Sequence, residues 1–301
     1  MRHPFVEYVN MPNQKTPYFS TNSLGFRGER EVSPQHEKKR VIIVGGSAAF
    51  GTGLKSDEET FAVQLEKILA NVEVINASVV GYLSGNELAY IITELIDLSP
   101  DAIIALDGWN DFVAQMRPPP RTVYTRGASN SFFYAEDRLR KFHELESFDL
   151  IRRMASATRL LFLNIGRLFN KAVQDSQIHW LPDADPAALG RQYAGNIIKM
   201  QRVAGAFHCK LICVLQPYRG LHKSKFEDEI EKNYHLFLEE TKKYFKQNSL
   251  IYIDLNDFKE QIRDGMFIDW VHLNVEGNVV IAQLVFELIQ REKLFDQSAL
   301  K

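Results

Sequence analysis

Five short hydrophobic runs are spaced along the chain, and each one ends in glycine, proline or a polar residue. They occupy residues 40–46, 72–78, 101–108, 210–217 and 250–255. Because each run is apolar at consecutive positions, both faces of the strand that it forms would be covered. Such runs are typical of parallel strands that lie between two layers of helices.

Helical patterns follow these runs, with apolar residues recurring every three or four positions, which gives each helix one apolar stripe. The stripes contain Phe61, Leu65, Ile68 and Leu69; Leu88, Ile91, Ile92, Leu95 and Ile96; Phe237 and Tyr244; and Val280, Leu284 and Leu288. This strand–helix repetition predicts a three-layer α/β/α domain with right-handed crossovers. In such sheets the functional residues collect at the carboxyl ends of the strands.

Two segments depart from this alternation. Residues 1–39 are polar and rich in turn-forming residues, and we interpret them as an N-terminal arm wrapped on the domain. Residues 112–190 contain "RPPPR", an aromatic stretch around "SFFYAED" and a basic amphipathic helix near residues 147–170. An insertion of this length usually forms a lid or a pocket wall. We therefore expect a single domain over residues 1–301 that carries an arm and a helical insertion.

Charge and composition exclude several classes of partner. The chain has 36 Lys and Arg against 38 Asp and Glu, a formal net charge of −2, so we expect no nucleic-acid partner. The opening segment lacks the apolar centre of a signal peptide, and no stretch approaches the ~18 apolar residues of a membrane span. These features predict a cytoplasmic protein without stable membrane insertion. Cys209 and Cys213 lie on one face of a predicted strand, ~13 Å apart and too distant for a disulfide.

The first hydrophobic run leads into "RVIIVGGSAAFGTG", residues 40–53, which could either bind a phosphate or expose a nucleophile. A P-loop requires a lysine after its second glycine, and here Thr52 follows Gly51. A dinucleotide fingerprint starting at Gly51 would require a third glycine, and Ser56 occupies that position. We therefore interpret Ser47, in a tight strand-to-helix turn, as a nucleophile.

A nucleophilic serine needs a base, a carboxylate and oxyanion donors. In "FIDWVHLNVEGN", Asp269 precedes His272 by three residues, so the carboxylate can hold Nδ1–H while Nε2 accepts the serine proton. Gly81 follows the second strand and offers a backbone N–H, and Asn110 follows the third strand and offers a side-chain amide. We expect all of these groups to meet at one rim of the sheet.

Four sequence blocks also carry a resemblance to a known family. The blocks are Ser47 after the first strand, Gly81 after the second, Gly108–Asp111 after the third and Asp269–His272 before the last helix. In order, spacing and placement they resemble the four blocks of the SGNH hydrolases, also called the GDSL esterase/lipase superfamily. The resemblance spans residues 20–292 and implies a flavodoxin-like fold with five central parallel strands.

Carried over by position, Ser47 resembles the family's nucleophile, Asp269 and His272 the other triad members, and Gly81 and Asn110 the oxyanion donors alongside the Ser47 N–H. The segment "TNSLGFRGERE", residues 21–31, resembles an arm of extended members, and we interpret it as a structural strap with Arg27 in a surface ion pair.

The sequence departs from the family at one position, because Gly46 stands where the family has the aspartate of Gly-Asp-Ser. "GGSAA" also nearly matches the Gly-x-Ser-x-Gly elbow of the α/β-hydrolases. That alternative is disfavoured, because the elbow normally follows several strands and its histidine lies well beyond its acid.

These observations predict a serine ester hydrolase without a cofactor that acts on a carbohydrate or small-molecule O-acyl ester, with O-acetyl esters favoured. Trp109 and Phe112 are candidate substrate-binding residues. No metal site is expected, because the histidines and carboxylates lack ligand spacing. An O-acyltransferase with the same triad, a lipase or lysophospholipase, and a catalytically silent ligand-binding module remain as alternatives.

Overall fold

The structure, a computed structural model, describes residues 1–114, 185–220 and 225–296. Its strands are β1 (Arg2–His3), β2 (Glu7–Tyr8), β3 (Lys39–Gly45), β4 (Val72–Asn76), β5 (Ala102–Asp107), β6 (Lys210–Leu215) and β7 (Ile251–Asp254). β1 and β2 pair as a small antiparallel hairpin, and the other five strands form one sheet. Each of the five predicted hydrophobic runs therefore overlaps a strand of this sheet.

The large sheet is parallel throughout, with the order β4-β3-β5-β6-β7. Numbered within the sheet, this order is 2-1-3-4-5, which is that of the flavodoxin-like folds. The sequence-based prediction of the fold is confirmed. Because the strands are parallel, their carboxyl ends at Gly45, Asn76 and Asp107 lie along one rim.

The helices are α1 (Ser47–Phe50), α2 (Phe61–Ile68), α3 (Ser84–Tyr90), α4 (Trp109–Ala114), α5 (Pro186–Ala206), α6 (Lys225–Gln247) and α7 (Val275–Arg291). The α3 helix continues through a π-helical turn at Ile91–Leu95. Side-chain caps fix several of the starts. The Thr60 hydroxyl accepts from Val63 N–H at α2, and Asn274 Oδ1 accepts from Gly277 N–H at α7.

Alternate residues of the central strands supply two separate cores. Ile42 and Val44 point into the core shared with α3, α5 and α6, whereas Val41 and Ile43 point into the core shared with α2 and α7. Covering both faces in this way excludes water from the sheet and gives the three-layer architecture.

Four connections at the amino ends of the strands share an unusual backbone conformation. Each passes through an exposed residue other than glycine in the left-handed region, with φ between 50° and 59°. These residues are Asn71 before β4, Ser99 before β5, His208 before β6 and Ser249 before β7. All four lie at the rim opposite to α1.

The N-terminal arm lies along the turn that follows β4. The Tyr8 hydroxyl donates to the Val80 carbonyl over 2.8 Å, and Asn10 Nδ2 donates to the Ser78 carbonyl over 3.0 Å. Farther along the arm, the Arg27 N–H donates to the Asn76 carbonyl at the end of β4. These bonds attach the arm at the rim where the strands end.

The interpretation of Arg27 as half of a surface ion pair is wrong. Its side chain is only 2% exposed. The reason is that Arg27 Nη1 donates to the carbonyls of Phe50 and Gly51, which lie inside the domain at the end of α1.

The expected insertion at residues 112–190 falls mainly on residues 115–184, which lie outside the described ranges together with its basic helix and its "SFFY" aromatics. At its edges the chain is helical, since α4 ends at Ala114 and α5 starts at Pro186. Within the described ranges, no helix combines the length and the apolar character needed to cross a bilayer.

Candidate active site

Ser47 is the first residue of α1, two positions after the last residue of β3. Its hydroxyl Oγ lies 2.7 Å from His272 Nε2, although 225 residues separate the two positions. As the first residue of a helix, Ser47 has a backbone N–H without a partner inside that helix. The nucleophile candidate and the base candidate are thus within hydrogen-bond distance.

His272 is held by Asp269 in the loop before α7. Its Nδ1 lies 2.7 Å from Asp269 Oδ2, and Asp269 Oδ1 accepts from the N–H groups of Val271 and His272 over 3.0 and 2.9 Å. The loop is closed by a bond from the Ile268 N–H to the His272 carbonyl over 2.8 Å. One carboxylate therefore shapes the loop and orients the imidazole.

These contacts decide the charge of Asp269. Partial burial alone would raise the pKa of this carboxyl, but the N–H groups of Val271 and His272 and the His272 imidazole together hold the pKa below its ordinary value. Asp269 is therefore a carboxylate at neutral pH and can stabilise a protonated imidazole.

The two expected oxyanion donors lie on neighbouring loops. Gly81 is in the turn after β4, with φ at +84°, a left-handed conformation that favours glycine. Asn110 is in α4 after β5, and its Nδ2 donates to the Tyr82 carbonyl over 2.8 Å. An amide nitrogen carries two N–H groups, so this bond uses one and leaves a second for a ligand.

A second bond pair, which the sequence reasoning missed, joins the same two loops. Asp111 accepts from the Ser84 N–H over 2.9 Å and from the Ser84 hydroxyl. Ser84 Oγ in turn accepts from Asn196 Nδ2 of α5 over 3.0 Å. The sequence could have indicated this role for Asp111, because Asp111 directly follows the donor candidate Asn110 in "LDGWND". Together with the bond from Asn110 to Tyr82, these contacts fix the spacing of the donor loops.

The structure gives a reason for the departure at Gly46. A β-carbon built on Gly46 would overlap Asn110 Nδ2. The amide of Asn110 therefore occupies the space into which a side chain at position 46 would project. A side chain at position 46 would require the Asn110 amide to shift from the position it has here.

Trp109 and Phe112, the candidate substrate-binding residues, are both buried in the structure. Phe112 has no exposed surface and packs against Tyr234 and Phe237. Trp109 is 8% exposed and stacks on Tyr218 with a centroid distance of 4.8 Å. Both rings lie in the aromatic core beneath α4, where they support the Asn110 loop by packing.

Two buried carboxyl groups lie behind this loop. Asp107, at the end of β5, accepts from the Tyr193 hydroxyl, and Glu87 of α3 lies beside it with 0% exposure. Burial, followed by the charges of Asp107 and Asp111 and the contact with Asp107, raises the pKa of Glu87 well above its ordinary value. The folded chain therefore holds the Glu87 proton more tightly than an exposed glutamate would.

Among residues 1–114, 185–220 and 225–296, no group of three or more His, Cys, Asp and Glu side chains is arranged to hold an ion. The chemistry that the described site can perform is proton transfer between Ser47 and His272.

Comparisons with known proteins relate the chain to solved structures. A protein from Bacteroides fragilis NCTC 9343 described as an acylhydrolase shares 17% identity, with a TM-score of 0.50 over 87% of this chain and 91% of the other. TesA shares 15% identity, with a TM-score of 0.50 over 85% and 100% of the two chains. A GDSL-like lipase from Bacteroides thetaiotaomicron VPI-5482 shares 15% identity, with a TM-score of 0.47 over 84% and 89%.

No known family profile matches the sequence, and no curated protein matches it. At such low identities the structural likeness establishes a shared architecture, since one fold can serve many functions. That architecture agrees with the strand order and the layers described above. The chain has the fold of the SGNH hydrolases, the family that its sequence resembles.

Proposed function

We propose that the chain is an SGNH-type serine ester hydrolase that cleaves O-acyl esters through an acyl-serine intermediate. The observation that carries this proposal is the hydrogen-bond chain from Asp269 Oδ2 to His272 Nδ1 and from His272 Nε2 to Ser47 Oγ, with both distances 2.7 Å. A serine, an imidazole and a carboxylate joined in this order form the machinery of acyl transfer in unrelated folds.

In the first step, Ser47 Oγ attacks the ester carbonyl carbon while His272 Nε2 takes the hydroxyl proton. Asp269 keeps the Nδ1–H tautomer and stabilises the imidazolium that forms. The oxyanion of the tetrahedral intermediate accepts hydrogen bonds from the N–H groups of Ser47 and Gly81 and from Asn110 Nδ2. Preorganised donors of this kind are each worth about 3–4 kcal/mol in the transition state.

In the second step, the imidazolium passes its proton to the departing alcohol, and the acyl group stays on Ser47. Water then attacks the acyl-serine with His272 again acting as the base. The products are a carboxylic acid and an alcohol, and Ser47 regains its proton. No other reactant is consumed.

For the substrate we propose a carbohydrate or small-molecule O-acyl ester, with acetyl as the favoured acyl group. The description of one protein of the same fold as an acylhydrolase supports the reaction class.

The test combines turnover and covalent labelling. Wild type should hydrolyse p-nitrophenyl acetate and react with a fluorophosphonate probe, and mass spectrometry should locate the probe on Ser47. Ser47→Ala should lower kcat by at least about 10³-fold. The matched control is Ser33→Ala, which removes an exposed arm hydroxyl and should leave both readouts unchanged. Wild-type hydrolysis by Ser47→Ala, or labelling at another residue, would contradict the proposal.

A further inference from the structure

The α1 helix that carries Ser47 contains only four residues, Ser47–Phe50. A single helical turn is not stable on its own, because fixing its backbone costs more than its one or two hydrogen bonds return. The orientation of Ser47 must therefore be held by groups outside α1. The C-terminal end of α1 shows which groups these are.

All three carbonyls at that end accept hydrogen bonds from buried side chains. The Ala49 carbonyl accepts from Asn76 Nδ2 over 3.0 Å. The carbonyls of Phe50 and Gly51 accept from Arg27 Nη1, each over 2.7 Å. A guanidinium at a helix C-terminus also complements the negative end of the helix dipole.

Arg27 is itself fixed on every side. Its Nε donates to Asp57 Oδ1 over 2.8 Å, and its guanidinium carbon lies 4.8 Å from the centroid of the Phe50 ring. Asp57 Oδ2 accepts from both the N–H and the hydroxyl of Ser20, so the carboxylate joins two parts of the arm. The charge of Arg27 is neutralised where it is buried.

A short hydrogen-bond path leads from Arg27 to Ser47. The N–H groups of Gly51 and Thr52 both donate to the Ser47 carbonyl, over 3.0 and 2.9 Å. Gly51 has φ at +89°, and a β-carbon there would lie 2.9 Å from Arg27 Nη1. The turn at Gly51 and Thr52 therefore binds the Ser47 carbonyl and also accepts a hydrogen bond from Arg27.

We propose that Arg27 is a positioning residue, supplied by the N-terminal arm, that fixes α1 so that Ser47 Oγ faces His272 Nε2. This inference rests on the proposed function of Ser47. Arg27 does not contact the reacting atoms, and it acts through the carbonyls of Phe50 and Gly51.

Arg27→Met keeps much of the side-chain volume and removes all of its donors. The rate of fluorophosphonate labelling and kcat should each fall by about 100-fold, the loss typical of a reactive group displaced by about 1 Å, while KM changes little. Arg27→Lys should recover only part of the rate, because one ammonium cannot replace the fork that spans Asp57 and two carbonyls.

The matched control is Arg30→Met. Arg30 lies in the same arm and makes comparable contacts, with two bonds to Glu66 over 2.7 and 2.8 Å and one to the Val74 carbonyl over 2.7 Å. These bonds lead to α2 and β4 rather than to α1. Loss of these bonds should lower the thermal midpoint, because they attach the arm to the domain. The labelling rate and kcat should not change.

Chemical rescue gives a second readout. Arg27 is among the residues that line a groove of about 730 Å³ between the arm and α2, and removal of its side chain would enlarge that groove. Guanidinium ion at millimolar concentration should restore at least a tenth of the wild-type labelling rate to Arg27→Ala, and ammonium ion should not. Failure of guanidinium ion to raise the labelling rate would count against the role assigned to the Arg27 fork.

A measurement that does not depend on turnover separates this inference from the proposed function. The ring ¹⁵N and ¹H shifts of His272 report its bond to Ser47, and Ser47→Ala supplies the signature of the unbonded ring. Arg27→Met should show that signature, while Arg30→Met should resemble wild type. If the folded Arg27→Met and Arg27→Lys variants keep the wild-type shifts, the positioning role is wrong. If wild type shows the bonded ring but hydrolyses no ester, the proposed function fails and the positioning role survives.

Discussion

The side-chain amide of Asn110 occupies the space that a β-carbon at Gly46 would fill. The same amide donates to the Tyr82 carbonyl, so it cannot retreat without breaking that bond. Gly46 and Asn110 therefore act as one unit beside Ser47.

Gly46→Ala should displace the Asn110 amide and lower kcat by about 100-fold, with a smaller effect on KM, because a displaced donor is lost mainly in the transition state. Asn110→Ala should cost a similar factor, and the double variant should be little worse than either single one. Steady-state kinetics on all four proteins measures this coupling. Gly195→Ala, at a helical glycine with open space around it, is the control. Additive losses would show that the two positions act independently.

Asp269→Asn should lower kcat by about 10²–10⁴-fold, because an amide can present an N–H to His272 Nδ1 and stabilise the wrong tautomer. The loss should appear equally in kcat and in kcat/KM. Asp264→Asn is the control, since this exposed carboxylate lies in the same segment and makes only a 3.8 Å ion pair with Arg219 Nε in the part of the chain that the structure describes. An Asp269→Asn enzyme with more than half of the wild-type kcat would remove Asp269 from the mechanism.

The raised pKa of Glu87 makes the free energy of unfolding depend on pH. Because burial and then the neighbouring carboxylates raise the pKa of Glu87, the folded chain binds a proton more tightly than the unfolded chain does. The stabilisation is complete below the unfolded pKa of ~4.3 and is lost as the pH rises through the raised folded pKa. The free energy of unfolding should therefore decrease toward alkaline pH.

Glu87→Gln keeps the shape of the neutral acid and cannot ionise. Its unfolding free energy, from urea titrations between about pH 5 and about pH 9, should decrease less with pH than that of wild type. Part of the slope should remain, since burial also raises the pKa of Asp107. Glu94→Gln is the control, because Glu94 is half-exposed and pairs with His3. Parallel curves for wild type and Glu87→Gln would show that Glu87 does not hold the proton.

The strands could be predicted because burial on both faces leaves a continuous apolar run in the sequence. The strand over residues 40–46 is observed as Lys39–Gly45, which is a shift of one residue. Ser47, Asp269 and His272 could also be singled out, since each lies where a strand or loop meets a helix. Their meeting at one site depends on the order and register of the parallel strands. The local sequence around each residue does not specify that order.

The errors have physical causes that arise from tertiary contacts. Ile92 was placed in an apolar stripe but is 51% exposed, because the π-helical turn at Ile91–Leu95 shifts the helical register. Arg27 was assigned to the surface because charged residues usually lie there, and no local pattern signals the carbonyls of Phe50 and Gly51 that bury it. The α5 helix was not predicted either, because it starts inside the presumed insertion.

Four residues with left-handed backbone conformation lie at the amino ends of the strands, far from Ser47. Asn71, Ser99, His208 and Ser249 each bear a conformational cost of about 1 kcal/mol that glycine would avoid, offset in part by the freedom glycine adds to the unfolded chain. All four are exposed and lie at the opposite end of the sheet from Ser47. Substitutions at these four connections can therefore change the thermal stability of the chain without touching the end of the sheet that carries Ser47.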